Sequence, residues 1–152
     1  MADSVRLDIH QELMTRLATI TTDNGYNHNV GRYYSQPDAE KATDTVALWV
    51  TFGPEEMGDP KHLGGGQPCV VTLQIHGYVR KRTTANLVTA LEQAIQDVRN
   101  AVNGNYANWK SNAGAAFIGF DTCETDEGIL AYDGLGFFTQ PLLFTYNAGP
   151  TW

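Results

Sequence analysis

Two segments of the chain repeat apolar residues every three or four positions, the spacing that is typical of an amphipathic helix. The first is predicted over about residues 4 to 20, and the turn-forming Asp23-Asn24-Gly25 follows it. The second follows Thr83 or Thr84, either of which can cap a helix, and ends at Asn103-Gly104. The two apolar stripes are Val5, Ile9, Leu13, Leu17 and Ile20, and Leu87, Leu91, Ala94, Ile95, Val98 and Val102. Each helix therefore has one face to bury.

Alternation of apolar and polar residues predicts strands elsewhere. It is clearest from Cys69 to Arg80 and clear again from Thr45 to Phe52. Shorter strands are predicted at 30–34, 116–123 and 137–146. Because Pro141 donates no ladder hydrogen bond, we expect the last strand to lie at a sheet edge or to bulge near that residue.

These elements do not alternate strictly between strand and helix, which favours an α+β fold over a parallel α/β fold. At 152 residues the chain fits a single domain, residues 1–152. We expect a mostly antiparallel or mixed sheet of four to five strands, with both amphipathic helices packed on one face. The other face would carry polar residues together with Trp49, His76 and Tyr78, a combination that suits an interface with another protein.

Two segments are predicted to be loosely held. The stretch 53–68 is rich in Pro and Gly and poor in large apolar side chains, so we expect a mobile loop there. Its Gly64-Gly65-Gly66 run is interpreted as a flexible loop, because a phosphate-binding loop requires a helix to follow and here a strand follows. The tail at 147–152 is also expected to be loose.

Charge and composition argue against some classes of function. A net charge of −7 argues against direct nucleic-acid recognition, since such binding needs clustered cations to neutralise phosphates. The one basic cluster, Arg80-Lys81-Arg82, is interpreted as a solvated strand end. No apolar stretch approaches the length of a membrane span, and we expect a protein made in the cytoplasm and not bound to membrane.

No catalytic constellation stands out. Glu124, Asp126 and Glu127 suggest a divalent metal site or an acid–base pair, but a solvated turn between strands is favoured. The four histidines lack zinc-ligand spacing, and Cys123 is interpreted as a buried strand thiol rather than a nucleophile. We therefore expect no catalytic residue, no metal and no cofactor, and a protein that is not an enzyme.

The order of these motifs resembles a known family. An N-terminal helix is followed by Arg32-Tyr33, and a long strand ends in Gly77-Tyr78-Val79-Arg80 before the second helix. Glu124-Thr125-Asp126-Glu127-Gly128 then precedes a closing aromatic-rich strand. This order, which spans most of the chain, resembles that of the tail terminator, or tail completion, proteins of long-tailed bacteriophages.

The resemblance implies a structural protein of the virion. Such proteins form a ring, typically a hexamer, that caps the tail tube, ends its polymerisation and offers a surface for joining the head. The implied partners are further copies of the chain, the tail tube protein and a head–tail connector or neck protein, and the implied location is the head-proximal end of the tail. Two alternatives stay open: a small-molecule-binding domain with a pocket formed by Trp49, Tyr78 and the flexible loop, and a metal-dependent hydrolase using the three carboxylates.

Three groups of residues are candidates for the assembly interface. The first lies in the predicted loop and is expected to become ordered on assembly: Glu55, Glu56, Asp59, Lys61 and His62. The second lies on the predicted helix-free face of the sheet: Trp49, His76 and Tyr78. The third, expected to meet acidic residues of a neighbouring subunit, is Arg80, Lys81 and Arg82.

Overall fold

The computed structural model of the chain describes residues 4–37, 45–59, 67–80, 84–104, 109, 114–126 and 135–148. The helices are α1 (Val5–Leu17), a short 3-10 helix (Thr22–Asn24) and α2 (Thr84–Asn103). The strands are β1 (Val30–Tyr33), β2 (Val46–Met57), β3 (Gln67–Arg80), β4 (Ala116–Phe120), β5 (Glu124–Asp126) and β6 (Leu135–Ala148). These elements confirm the predicted α+β fold.

The strands form one mixed sheet of six strands in the order β1-β2-β3-β6-β4, with β5 also paired to β6. Only the β1–β2 pair is parallel, and the other described pairs are antiparallel. The sheet is larger than the four to five strands predicted, because 116–126 forms two strands separated by an irregular link instead of one strand and a turn.

Both helices pack on the same face of the sheet, as predicted. Their apolar stripes and alternate residues of β2, β3 and β6 form one core that includes Leu13, Val98, Leu73 and Phe144. Ser4 caps the start of α1, because its side chain accepts a hydrogen bond from Leu7 N at 3.1 Å. It ends three residues before the predicted position because the N–H groups of residues 19 and 20 bond to carbonyls three residues back, which tightens the chain there.

Two polar contacts fix α2 in place. The carbonyl of Val102, near the helix end, accepts hydrogen bonds from the Arg16 guanidinium at 2.9 Å and from Trp109 Nε1 at 3.0 Å. Buried Asp97 accepts hydrogen bonds from the backbone N–H groups of Asn27 and His28 at 3.1 and 3.0 Å. Carbonyls at the end of a helix lack hydrogen-bond partners within the helix, and Arg16 and Trp109 provide partners for the Val102 carbonyl. The bonds to Asp97 tie the loop after the 3-10 helix to α2.

The prediction offered a sheet edge or a bulge near Pro141; the edge was wrong, whereas the register of the β4–β6 pairing does shift near this residue. β6 pairs with β3 along its whole length and with β4 and β5 on its other side, so it is an interior strand. The Pro141 carbonyl accepts a hydrogen bond from Asp121 N at 3.1 Å, which shows that the polar side of Pro141 faces the irregular link between β4 and β5. Pro141 is tolerated there because no regular ladder requires its missing N–H.

The prediction of a loop over 53–68 was also wrong at both ends of that range. β2 continues to Met57 and β3 begins at Gln67, whereas residues 60–66 lie outside the described part. The register shifts between Phe52 and Glu55, so Pro54 lies in a β-bulge, where the ladder does not need its N–H. Likewise, residues 147 and 148 of the predicted loose tail are paired to β3, and residues 149–152 lie outside the described part.

Candidate functional site

The sheet face opposite the helices is the candidate functional surface, and we call it the helix-free sheet face. The register of β2, β3, β5 and β6 defines its members, because residues paired directly across strands project to the same side. Among the described residues these members include Trp49, Thr51, Glu56, Val70, Thr72, Gln74, His76, Tyr78, Arg80, Glu124, Asp126, Phe137, Thr139 and Leu143.

One end of this face is a second hydrophobic cluster. Trp49 is 6% exposed and Tyr78 is fully buried, and they cluster with Ala47 against Tyr33 and Phe137. Trp49 and Tyr78 therefore lie on the predicted face of the sheet, but they are buried and not exposed on it. Alternation assigned them to the correct face, but it carries no information on whether that face is covered. Buried side chains also cannot line an open pocket, so the structure does not favour the small-molecule site proposed around them.

His76 organises the centre of the face. Its ring stacks on Trp49 with centroids 5.6 Å apart. Thr51 Oγ1 lies 2.7 Å from Nε2 of His76, and Thr139 Oγ1 lies 2.9 Å from Nδ1. The three polar residues come from β2, β3 and β6, so both ring nitrogens are satisfied by hydroxyl groups across three strands.

The environment of His76 favours the neutral imidazole. Burial lowers the pKa of His76 from its ordinary value, because a charged ring would lose solvation. A hydroxyl beside an imidazole also begins a nucleophilic site, but that chemistry uses a third group, commonly a carboxylate, to stabilise the imidazolium. Here the third group is the Thr139 hydroxyl, so the arrangement provides a neutral, ordered polar centre.

The candidate acids of the β2–β3 hairpin point to different faces. Glu55 pairs with Val71 on the helix side, where it accepts a hydrogen bond from the Tyr146 hydroxyl and lies 3.5 Å from Arg6. Burial, followed by the hydrogen bond to Glu55, raises the pKa of Tyr146. Glu56 pairs with Val70 on the helix-free sheet face and is exposed, as is Asp59. The structure therefore gives Glu55 an internal role.

Arg80 marks the opposite end of β3. Its guanidinium carbon lies 5.8 Å from the centroid of the Tyr78 ring, and the residue is half-buried. Four other predicted interface residues, Lys61, His62, Lys81 and Arg82, lie outside the described residues.

The acidic segment predicted to be a turn is a strand. Glu124 and Asp126 lie in β5, which pairs with β6, and both side chains are exposed. Pairing to Thr139 and Phe137 overrides the turn-forming composition of the segment. Within the described ranges, no group of three or more His, Cys, Asp or Glu side chains could hold a metal ion, and Glu127 lies outside them.

Sequence reasoning missed a polar junction on the helix side. Gln140 is fully buried, accepts a hydrogen bond from Arg99 Nε at 2.9 Å and donates to the carbonyls of Asp121 and Pro141. Cys123 lies at the same junction, and burial raises the pKa of its thiol. The signal was present in the alternation, which places Gln140 between the core residues Phe138 and Leu142. The junction joins α2 to β6 and to the link between β4 and β5, and it is structural.

Fold and surface together define a class: an α+β sandwich whose sheet carries both described helices on one face and polar residues with aromatic neighbours on the other. No protein-family model matches the chain, and no curated protein matches it either. Neither α1 nor α2, the two α-helices of the described residues, is long and apolar enough to cross a membrane.

Proposed function

We propose that this protein is a structural assembly protein that forms a homo-oligomeric ring, expected to be a hexamer, on the end of a phage tail tube. The ring ends polymerisation of the tube and presents its opposite surface to a head–tail connector or neck protein. The protein acts by binding and not by catalysis, and it resides at the head-proximal end of the tail in the assembled virion.

The observation that carries this proposal is the helix-free sheet face. A six-stranded sheet normally buries both faces or exposes one to water, and here the exposed centre is ordered by a hydroxyl–imidazole network. Hydroxyl and amide groups stay hydrated before assembly and can bond a partner afterwards. The order of elements along the chain also agrees with the order that the resemblance rests on.

Exposed apolar side chains near the hairpin support the same proposal. Phe52 and Met57 of β2 are 46% and 51% exposed, and Val70 of β3 is 37% exposed. The register places Phe52 and Met57 on the helix side of the sheet and Val70 on the helix-free sheet face, so both sides of the hairpin expose an apolar side chain of the kind that protein contacts bury. The long β2–β3 hairpin thus offers both polar and apolar surface to a partner.

The first test is the solution mass by light scattering over a concentration series, with negative-stain images of the same sample. We expect a ring with the mass of about six subunits, because a head-to-tail interface that closes produces cyclic assemblies. Purified tail tube protein is then polymerised with and without the protein, and we expect shorter tubes carrying a ring at one end. A monomer at all concentrations that neither binds tubes nor limits their length would contradict the proposal.

A further inference from the structure

We propose that copies of this chain associate head to tail, with the acidic end of the β2–β3 hairpin of one copy docking against the Arg80 end of the next. The inference rests on the proposed function, since it assigns the contact that would close the ring. Its partner is a second copy of this chain, and its basis is charge complementarity between two ends of one sheet face.

The register places the two charged ends on the same face and far apart. Glu56 pairs with Val70, and Arg80 lies ten residues further along β3 on the same side of the sheet. At about 3.3 Å per residue, the two charges are separated by roughly 33 Å. They are therefore too far apart to pair within one copy, but each is positioned to meet the opposite charge on another copy.

The acidic end is available to a partner. Glu56 and Asp59 are exposed, and neither side chain forms a hydrogen bond or ion pair with any residue that the structure describes. Glu55, by contrast, is held by Tyr146 and Arg6 on the other side of the sheet. The hairpin end thus presents two carboxylates outward, and the exposed Met57 lies between them in the sequence.

The basic end is built on a rigid base. Arg80 extends over the buried Tyr78 ring, which packs edge-on against Phe137 with centroids 6.3 Å apart. A guanidinium supported by an aromatic face loses little conformational entropy when it binds a carboxylate. This end can therefore hold an incoming Glu56 with defined geometry.

Nearby acids define the direction of approach. Glu124 and Asp126 lie on β5, separated from β3 by β6, and both are exposed at the margin of the same face. They would repel the carboxylates of an incoming hairpin and so direct it towards the β2 side of Arg80, because like charges penalise a wrong docking position. The charge pattern thus selects one register between copies.

Charge exchange at the two ends tests the contact. We expect Glu56→Lys to weaken association about tenfold or more, and Arg80→Glu to do the same, since each variant sets like charges against each other between copies. The double variant E56K/R80E restores opposite charges and should associate within about threefold of the wild type. Sedimentation equilibrium at low salt measures all of them.

Asp23→Lys is the matched control, because it makes the same charge change at an exposed residue of the 3-10 helix away from the helix-free sheet face. Circular dichroism establishes that each variant is folded, and the E56K and D23K pair decides the question even if R80E does not fold. If the wild type associates, and E56K associates as tightly as D23K does, this contact is overturned and the proposed function is unaffected. A wild type that stays monomeric both alone and on tail tubes would overturn the proposed function and this contact with it.

Discussion

Gly77 lies directly against two core side chains. A Cβ added at this position would lie 2.4 Å from Cε1 of Phe138 and 2.9 Å from Cδ2 of Leu48. Phe138 is 2% exposed and Leu48 is fully buried, so neither side chain can swing out of the way into solvent. The glycine of the Gly77-Tyr78-Val79-Arg80 motif therefore has a packing role in this chain.

Gly77→Ala is expected to lower the free energy of unfolding by about 1–3 kcal/mol, because the added methyl group overpacks a filled core. Urea denaturation followed by tryptophan fluorescence measures the change. Gly136→Ala is the control, since the nearest atom to its added methyl group, Cδ1 of Leu87, is 3.3 Å away, so this substitution should cost less. Equal losses in the two variants would contradict the close packing of Gly77 against Phe138.

The lowered pKa of His76 predicts how the stability of the fold depends on pH. Its pKa in the folded protein is lowered by burial, so below the ordinary value near 6.5 the unfolded chain takes up the proton more readily than the folded one. Stability is therefore unaffected by this group well above that pH and falls as the pH drops through about 6.5 towards the folded pKa. We expect His76→Gln to flatten this part of the stability profile.

The measurement is the urea midpoint of the wild type and H76Q at a series of pH values from neutral to mildly acidic. His10 requires its own variant, because burial lowers its pKa as well. The effects of H76Q and H10Q on the pH dependence of the urea midpoint should be additive, since the two rings lie on different faces of the sheet. A slope that H76Q leaves unaltered would contradict the assigned environment of His76.

At the scale of elements, Gln140 joins parts of the chain that are distant in sequence. Its side chain receives a hydrogen bond from Arg99 of α2 and donates to the carbonyl of Asp121 in the link between β4 and β5. β4 and β5 both depend on β6 for pairing. The Gln140 amide therefore fixes the irregular link against the helix.

Gln140→Leu is expected to lower the free energy of unfolding by about 2 kcal/mol, because the Asp121 carbonyl and the Arg99 guanidinium each lose a hydrogen bond to the buried Gln140 amide, at roughly 1 kcal/mol each. Gln96→Leu makes the same chemical change on the exposed side of α2 and should have little effect. Thermal and urea denaturation compare the two variants. A loss in Q140L no larger than that in Q96L would show that the junction contributes nothing to stability.

At the scale of the whole molecule, a head-to-tail ring predicts a sharp response to mixed subunits. Consider a mixture in which one copy in six carries Glu56→Lys and copies assemble at random. About a third of hexamers then contain no variant copy, whereas about 70% of two-fold dimers contain none. We therefore expect such a mixture to reduce closed rings to about a third of the wild-type number. Counting closed rings in negative-stain images of mixed and refolded samples measures this.

The same mixture made with Asp23→Lys is the control and should leave the ring count unchanged. A wild type that forms dimers instead of rings, with about 70% of the dimers kept in the E56K mixture, would indicate a two-fold dimer built from the same two charged ends. Ring counts that stay at the wild-type level in the E56K mixture would contradict a head-to-tail contact through the hairpin.

Much of the fold followed from local pattern. Period-3.6 stripes predicted both helices, and alternation predicted the core side of β3, since burying one face requires that periodicity wherever the element lies. The same pattern predicted that both helices pack on one sheet face. These features depend on neighbours within a few residues, which is the range over which a single sequence carries information.

Tertiary structure decided the rest, because it depends on partners far along the chain. The ladder to β3 converted residues 53–57 from a predicted loop into strand, and pairing on both sides placed Pro141 inside the sheet. Packing against Tyr33 and Phe137 buried Trp49 and Tyr78, and register separated Glu55 from Glu56. Local periodicity thus indicates which residues share a face, whereas long-range pairing sets which of them remain at the surface to meet a partner.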